Sequence, residues 1–163
     1  MLTGRTEFET GPAVGRGIAA RLPTDLARLE AGEKVATMLA AAAKLKAKPG
    51  HKAARHVLRE LGNELALLLE PERRPDWAWF EILFGGDACR MAEALLRAGQ
   101  ALSDKMFVIR GLQTLEWMRA GAAGRLCAET LADACAAAHA ATGDAGWLAG
   151  TEPPATRPGR REN

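Results

Sequence analysis

Two tryptophans and two acids lie close together in the middle of the chain and could form a sugar-binding cleft. Trp77 and Trp79 come just before Glu81, and Asp87 follows a Gly-Gly turn. Indole rings stack on the C–H faces of a sugar while carboxylates hold its hydroxyls. The same two carboxylates would be the catalytic pair of an acid/base enzyme acting on a saccharide, provided that both face one cleft. Arg90, three residues further on, would hold these acids or a phosphate group.

Most of these residues also have a purely structural interpretation. Trp77 and Trp79 fit a role as core aromatics, since such side chains chiefly contribute buried apolar area. Asp87 is well placed as the N-cap of a helix whose apolar stripe begins at Met91. Glu81 has no comparable structural role, because an acid between two large apolar neighbours is either solvated on a loop or held in a cleft. The sequence leaves both interpretations open.

The composition predicts one all-α domain. A chain of 163 residues is long enough for a single core, and its hydrophobic share of 48% includes only four Phe, four Trp and no Tyr. Much of the apolar content is alanine, which favours helices packed closely through small residues over a β-rich core. The net charge of +2 gives no electrostatic case for nucleic acid as a partner.

The cysteine and histidine patterns predict neither a metal nor a cofactor. Cys89, Cys127 and Cys135 lack CxxC spacing, and the three histidines do not have the spacing of metal ligands. The chain opens without a basic-then-apolar signal pattern, and no apolar run approaches the roughly 18 residues that a membrane span requires. We therefore expect a reduced, cytoplasmic, soluble protein without a membrane partner.

Apolar periodicity and helix-breaking residues divide the chain into five main helices. A glycine-rich lead-in over 1–22 precedes a helical domain over 23–149, and a proline-rich tail over 150–163 is predicted to be disordered. Pro49-Gly50 separates the first two helices, and Ser103 or Asp104 caps the fourth. The helices are expected at about 23–48, 51–69, 87–101, 104–119 and 124–141.

An internal repeat is visible when the chain is shifted by 40 residues. The segment 91–108 then lies without a gap on 131–148, with Asp104 on Asp144 and Phe107 on Trp147. A helix, a tight turn containing an aspartate and an aromatic that opens the next helix therefore occur twice. Such units bury their apolar faces by stacking on neighbours, as in helical solenoids or rings of helix pairs.

The stretch from Trp79 to Leu96 resembles a known signature. It reads Trp-Phe-Glu, five residues, Asp-x-x-Arg and then Glu-Ala-Leu-Leu. This is similar to the motif in the helical domain that accompanies certain bacterial glycosyltransferases, an (α/α)-toroid related to six-hairpin sugar enzymes. Segments 111–117 and 129–148 look like later helices of that domain. The chain departs from the pattern at Ile82, where the family has Asp, at Gly85–Gly86, where it has Thr-Tyr, and at Ala88, where it has Asn.

The resemblance implies antiparallel helix pairs forming a partial (α/α)-toroid arc, since a full toroid needs about twice as many helices. An open arc exposes apolar faces and should seek a partner, either a second copy or a nucleotide-sugar transferase subunit. The function it implies is that of a truncated, carbohydrate-associated helical domain with weak or no catalysis, in which Trp77, Trp79 and Arg90 bind a saccharide. The alternatives are a helical protein-protein interaction module and the acid/base enzyme with Glu81 and Asp87.

Overall fold

The computed structural model describes residues 21–70, 89–121 and 128–149, and within these ranges the chain is all-α. They hold five main helices and no strand, as the sequence predicts. The helices are α1 (Ala31–Ala47), α2 (Lys52–Leu68), α3 (Cys89–Leu102), α4 (Lys105–Gly121) and α5 (Ala128–Thr142), with short 3-10 helices at Leu26–Arg28 and Ala145–Leu148. In these ranges no helix combines the length and the apolar character needed to cross a membrane.

The first helix begins later than the sequence predicts. The apolar spacing of Leu26 and Leu29 predicts a helix from Pro23, but Leu29 is extended, with φ −72° and ψ 136°. A capping box fixes the true start: the Glu33 carboxylate accepts from the Glu30 backbone N–H at 2.9 Å, and the Glu30 side chain accepts from the backbone at Glu33. The predicted start at Pro23 is therefore wrong, and local capping determines the boundary.

The turn between α1 and α2 forms where Pro49-Gly50 predicts it. His51 caps α2, with its Nδ1 atom accepting from the Ala54 backbone N–H at 3.1 Å. Because only four residues join them, α1 and α2 pack against each other as a helical hairpin. An ion pair between Lys34 and Glu64 links the exposed sides of the two helices.

Helix α3 lies at the centre of the described fold. It packs against α1, α2, α4 and α5. The segment from Met91 to Leu96 is buried without interruption, as are Cys89, Ala98 and Gly99. A helix that buries so much of its circumference belongs in the core of a bundle. The segment therefore supplies the rigid base on which the other four helices are arranged.

The turns after α3 and α5 have similar conformations at positions 40 residues apart, as far as the start of the next helix. Ser103 (φ 58°) and Gly143 (φ 75°) are left-handed at matching positions. Asp104 then caps α4 through a bond from the Met106 N–H to its Oδ1 at 2.9 Å, and Asp144 accepts from the Gly146 N–H at 2.8 Å. The copies differ afterwards, since α4 has 17 residues and the 3-10 helix after Asp144 has four.

The partial toroid remains a prediction that the described residues do not confirm. In an arc of stacked helix pairs each unit contacts only its neighbours along the chain. Here α1 packs on α3 as well as on α2, and α3 contacts α5 as well as α4. The described contacts are those of a bundle around one central helix.

Candidate binding groove

Four of the five residues that the sequence singles out fall outside the described ranges. Trp77, Trp79, Glu81 and Asp87 belong to 71–88, so their shared cleft stays a prediction. Arg90 is described: it lies in the first described turn of α3 and is half-buried. Its surroundings therefore define the candidate site.

Arg90 lines a groove of about 950 Å³ that is bounded by α1, α3 and α5. Helix α3 forms its floor, because the groove residues of α3 include the buried Glu93. The walls are built from small side chains on the two flanking helices. These are Ala42, Ala43 and Ala47 on α1 and Ala136, Ala137 and Ala140 on α5.

Positive charge dominates the described lining of this groove. Four cationic side chains line it, Lys46 from α1, Arg55 from α2, and Arg90 and Arg97 from α3. The one carboxylate among the described lining residues is that of Glu93. Low-dielectric walls focus the field of such a cluster, so the described part of the lining favours anions over cations.

The carboxylate of Glu93 is already engaged by a groove arginine. Arg97 Nε donates to Glu93 Oε1 at 2.6 Å, across one turn of α3. The Glu93 side chain is 8% exposed and that of Arg97 is 43% exposed. A buried carboxylate needs such a partner. The ion pair therefore holds the Arg97 side chain in place through its Nε atom, beside the groove that Arg97 also lines.

A second arginine is held by the turn between the first two helices. Arg55 Nη2 donates to the Pro49 carbonyl oxygen at 3.1 Å. This bond satisfies a carbonyl just after the end of α1 and directs the side chain toward the groove that Pro49 also lines. The break at Pro49-Gly50 thus positions a cation as well as ending a helix.

The described lining of the groove offers hydrogen-bond donors and a single carboxylate. Acid/base chemistry on a saccharide needs two carboxyl groups facing one cleft, and the described lining offers Glu93 alone, paired with Arg97. Among the described residues there is also no cluster of three metal-ligating side chains. What the described groove provides is a set of hydrogen-bond donors around a small-residue surface.

A buried thiol on α5, Cys135, is not among the described residues that line the groove. Burial raises the pKa of Cys135, while the nearby Arg119 acts in the opposite direction. The Arg119 guanidinium stands 5.9 Å from the centroid of the Trp147 ring, a cation–π contact. Because burial keeps the thiol neutral, Cys135 serves as a small core residue.

Sequence reasoning missed Lys46, Arg55 and Arg97 as members of a site. One signal was available, because Arg90 and Arg97 are seven residues apart and therefore lie on one helix face. The contributions of α1, α2 and α5 follow only from the tertiary arrangement. Comparison with protein-family models, with curated proteins and with solved structures returns no match for this chain.

Proposed function

We propose that this chain is a non-catalytic helical binding module that holds an anionic partner in the groove between α1 and α5. One observation carries the proposal: four cationic side chains surround a groove whose described carboxylate is already paired. Arginine side chains bind carboxylates and phosphates through two parallel N–H bonds. An anion that enters the groove therefore meets donors that are in place beforehand.

The sequence resemblance adds a context for this binding. A helical domain of the glycosyltransferase-associated kind works beside a transferase, so the partner in this proposal is a nucleotide-sugar transferase subunit. The position of Arg90 in the groove supports a link between the motif and the binding surface. A saccharide that carries a phosphate is the second candidate ligand, because the same arginine would hold its phosphate.

Nuclear magnetic resonance titration of the full chain tests the anion-binding groove. The probes are sodium tripolyphosphate and glucose 1-phosphate, with uncharged glucose as the control. We expect both anions to shift backbone amide signals at Ala43, Gln100 and Ala136, which line the groove, while glucose leaves these signals unchanged. The shifts should shrink as salt is raised toward 1 M, where the Debye length falls to about 3 Å.

Matched variants separate the groove from general surface charge. Arg90→Gln removes one cation from the groove, and Arg59→Gln removes one from an exposed position on α2 outside it. Binding should weaken in the first and persist in the second. Equal weakening in both, or shifts spread over the whole surface, would show that the groove is not an anion site.

A further inference from the structure

We infer that the occupant of the groove is an acidic, amphipathic α-helix presented by a partner protein. This inference rests on the proposed function, and it names the chemistry of the partner. Three features of the groove point to a helix, namely its walls, the spacing of its cations and its size.

The walls present small apolar side chains at helical spacing. Ala43 and Ala47 are exposed on α1, and Ala136 and Ala140 are exposed on α5, each pair four residues apart. Residues at this spacing lie above one another on one face of a helix. Helices approach to about 8–10 Å depending on the side chains at the contact, and alanine permits the close end of that range. Both walls are therefore suited to receive a further helix between them.

The cations on the floor have the repeat of a helix. Arg90 and Arg97 lie on one face of α3, two turns and about 10.5 Å apart along its axis. A partner helix lying along α3 places carboxylates seven residues apart at the same separation. Carboxylates repeated along a partner helix can therefore engage both arginines, one at each. The spacing of the two cations thus matches a helix that carries acidic residues on one face.

The volume of the groove is consistent with a helical occupant. A helix with its side chains is about 10 Å across, so two turns occupy about 850 Å³. The groove measures about 950 Å³. The groove is therefore large enough to accommodate about two turns of a partner helix.

Glu93 serves as a positioning residue for this contact. Among the described residues, its carboxylate accepts a hydrogen bond from Arg97 Nε at 2.6 Å. A guanidinium has five N–H donors, and the four on its terminal nitrogens form the planar fork that pairs with a carboxylate. Holding the Nε side leaves that fork directed away from Glu93. A partner carboxylate then binds an arginine whose side chain is already ordered, which reduces the entropy lost on binding.

The test uses three fluorescein-labelled 18-residue peptides of alanine, leucine and glutamate, and fluorescence anisotropy with the full chain. The first has glutamates seven residues apart on one helix face. The second has the same charges but a central proline that breaks the helix, and the third has glutamine in place of glutamate. We expect the first to bind at least tenfold more tightly than either of the others.

Groove variants locate the binding site. Arg97→Gln should raise the Kd of the helical peptide about tenfold, because it removes the carboxylate fork. Ala43→Phe should raise it by a similar factor by filling the groove from its wall. The controls are Arg59→Gln and Ala40→Phe, at exposed positions outside the groove, and they should change the Kd less than twofold. Circular dichroism confirms that each variant is folded.

The outcomes separate the inference from the proposed function. Equal binding of the helical and proline-containing peptides, or an unchanged Kd in Ala43→Phe, would refute the helical partner. Groove shifts with glucose 1-phosphate but no peptide binding would also refute it, while leaving the groove as an anion site. If neither the small anions nor any acidic peptide perturbs the groove, both the inference and the proposed function are wrong.

Discussion

Ser103 and Gly143, the two left-handed turn residues, occupy equivalent positions 40 residues apart. Substitutions at these two positions should change the free energy of unfolding in opposite directions. Ser103→Gly and Gly143→Ala exchange the residue type at φ 58° and φ 75° respectively. Ser103 is exposed, and a Cβ added at Gly143 would meet nothing within 4 Å. Neither change therefore alters packing, and the backbone conformation alone determines the effect.

The magnitude follows from two opposing terms. An L-residue in the left-handed region costs about 1–2 kcal/mol, whereas glycine costs about 0.4–1 kcal/mol through the greater entropy of the unfolded chain. Ser103→Gly should therefore raise the free energy of unfolding by about 0.5–1 kcal/mol. Gly143→Ala should lower the free energy of unfolding by a similar amount, because it places an L-residue in the left-handed region and removes a glycine. For a chain of this size each kcal/mol moves Tm by about 2–4 °C.

Urea unfolding followed by far-ultraviolet circular dichroism measures both changes, with calorimetry as a second probe. Gly32→Ala is the matched control. It makes the same substitution in the first turn of α1, also with nothing within 4 Å of the added Cβ and without a positive φ. It should stabilise by about 0.5–1 kcal/mol, opposite in sign to Gly143→Ala. If both glycine substitutions stabilise the protein, the argument from backbone strain is refuted.

Three further predictions concern packing, capping and the buried thiol. Gly99→Ala should lower the free energy of unfolding by about 1–3 kcal/mol in the same urea assay, because its Cβ would lie 2.9 Å from backbone atoms of Asp104 and of the next helix; an unchanged midpoint would contradict this close approach. Asp104→Ala should lower the free energy of unfolding by about 1 kcal/mol because α4 loses its N-cap. Asp144→Ala should lower it by less, because it removes the cap of a helix of only four residues; equal losses for the two variants would contradict this expectation. Cys135 should resist iodoacetamide at neutral pH until urea unfolds the chain, as followed by peptide mass spectrometry. Because its folded pKa is raised, its contribution to stability is complete below the ordinary thiol pKa and falls as the pH rises above it; rapid labelling of the folded chain would contradict its burial.

Local signals predict much of the fold. Pro49-Gly50 gives the α1–α2 turn, Asp104 gives the start of α4, and the 40-residue shift gives two matching turns. These features depend on hydrogen bonds within a few residues of the chain, which a sequence pattern represents directly. The sequence does not predict the start of α1 correctly. Leu26 and Leu29 continue the apolar spacing of the helix although Leu29 is extended, and the spacing alone does not distinguish a helical residue from an extended one.

The groove could be predicted only in part. The spacing of Arg90 and Arg97 places them on one face, but it does not say that Arg55 and Lys46 meet that face from other helices. The meeting of these side chains depends on which helix lies at the centre of the bundle, and packing among all the helices determines this. The predicted indole and acid cluster over 76–87 lies outside the described residues, so its part in the site stays a prediction.

The burial of α3 on nearly all sides has a consequence for amide hydrogen exchange. The backbone amides of a helix exchange when its hydrogen bonds open, and opening α3 disrupts its packing against four other helices. Its amides should therefore exchange only through global unfolding, while those at the exposed ends of α1 and α5 exchange through smaller fluctuations. The floor of the groove is then the least deformable surface of the molecule, and a ligand that binds there must adapt its own shape to it.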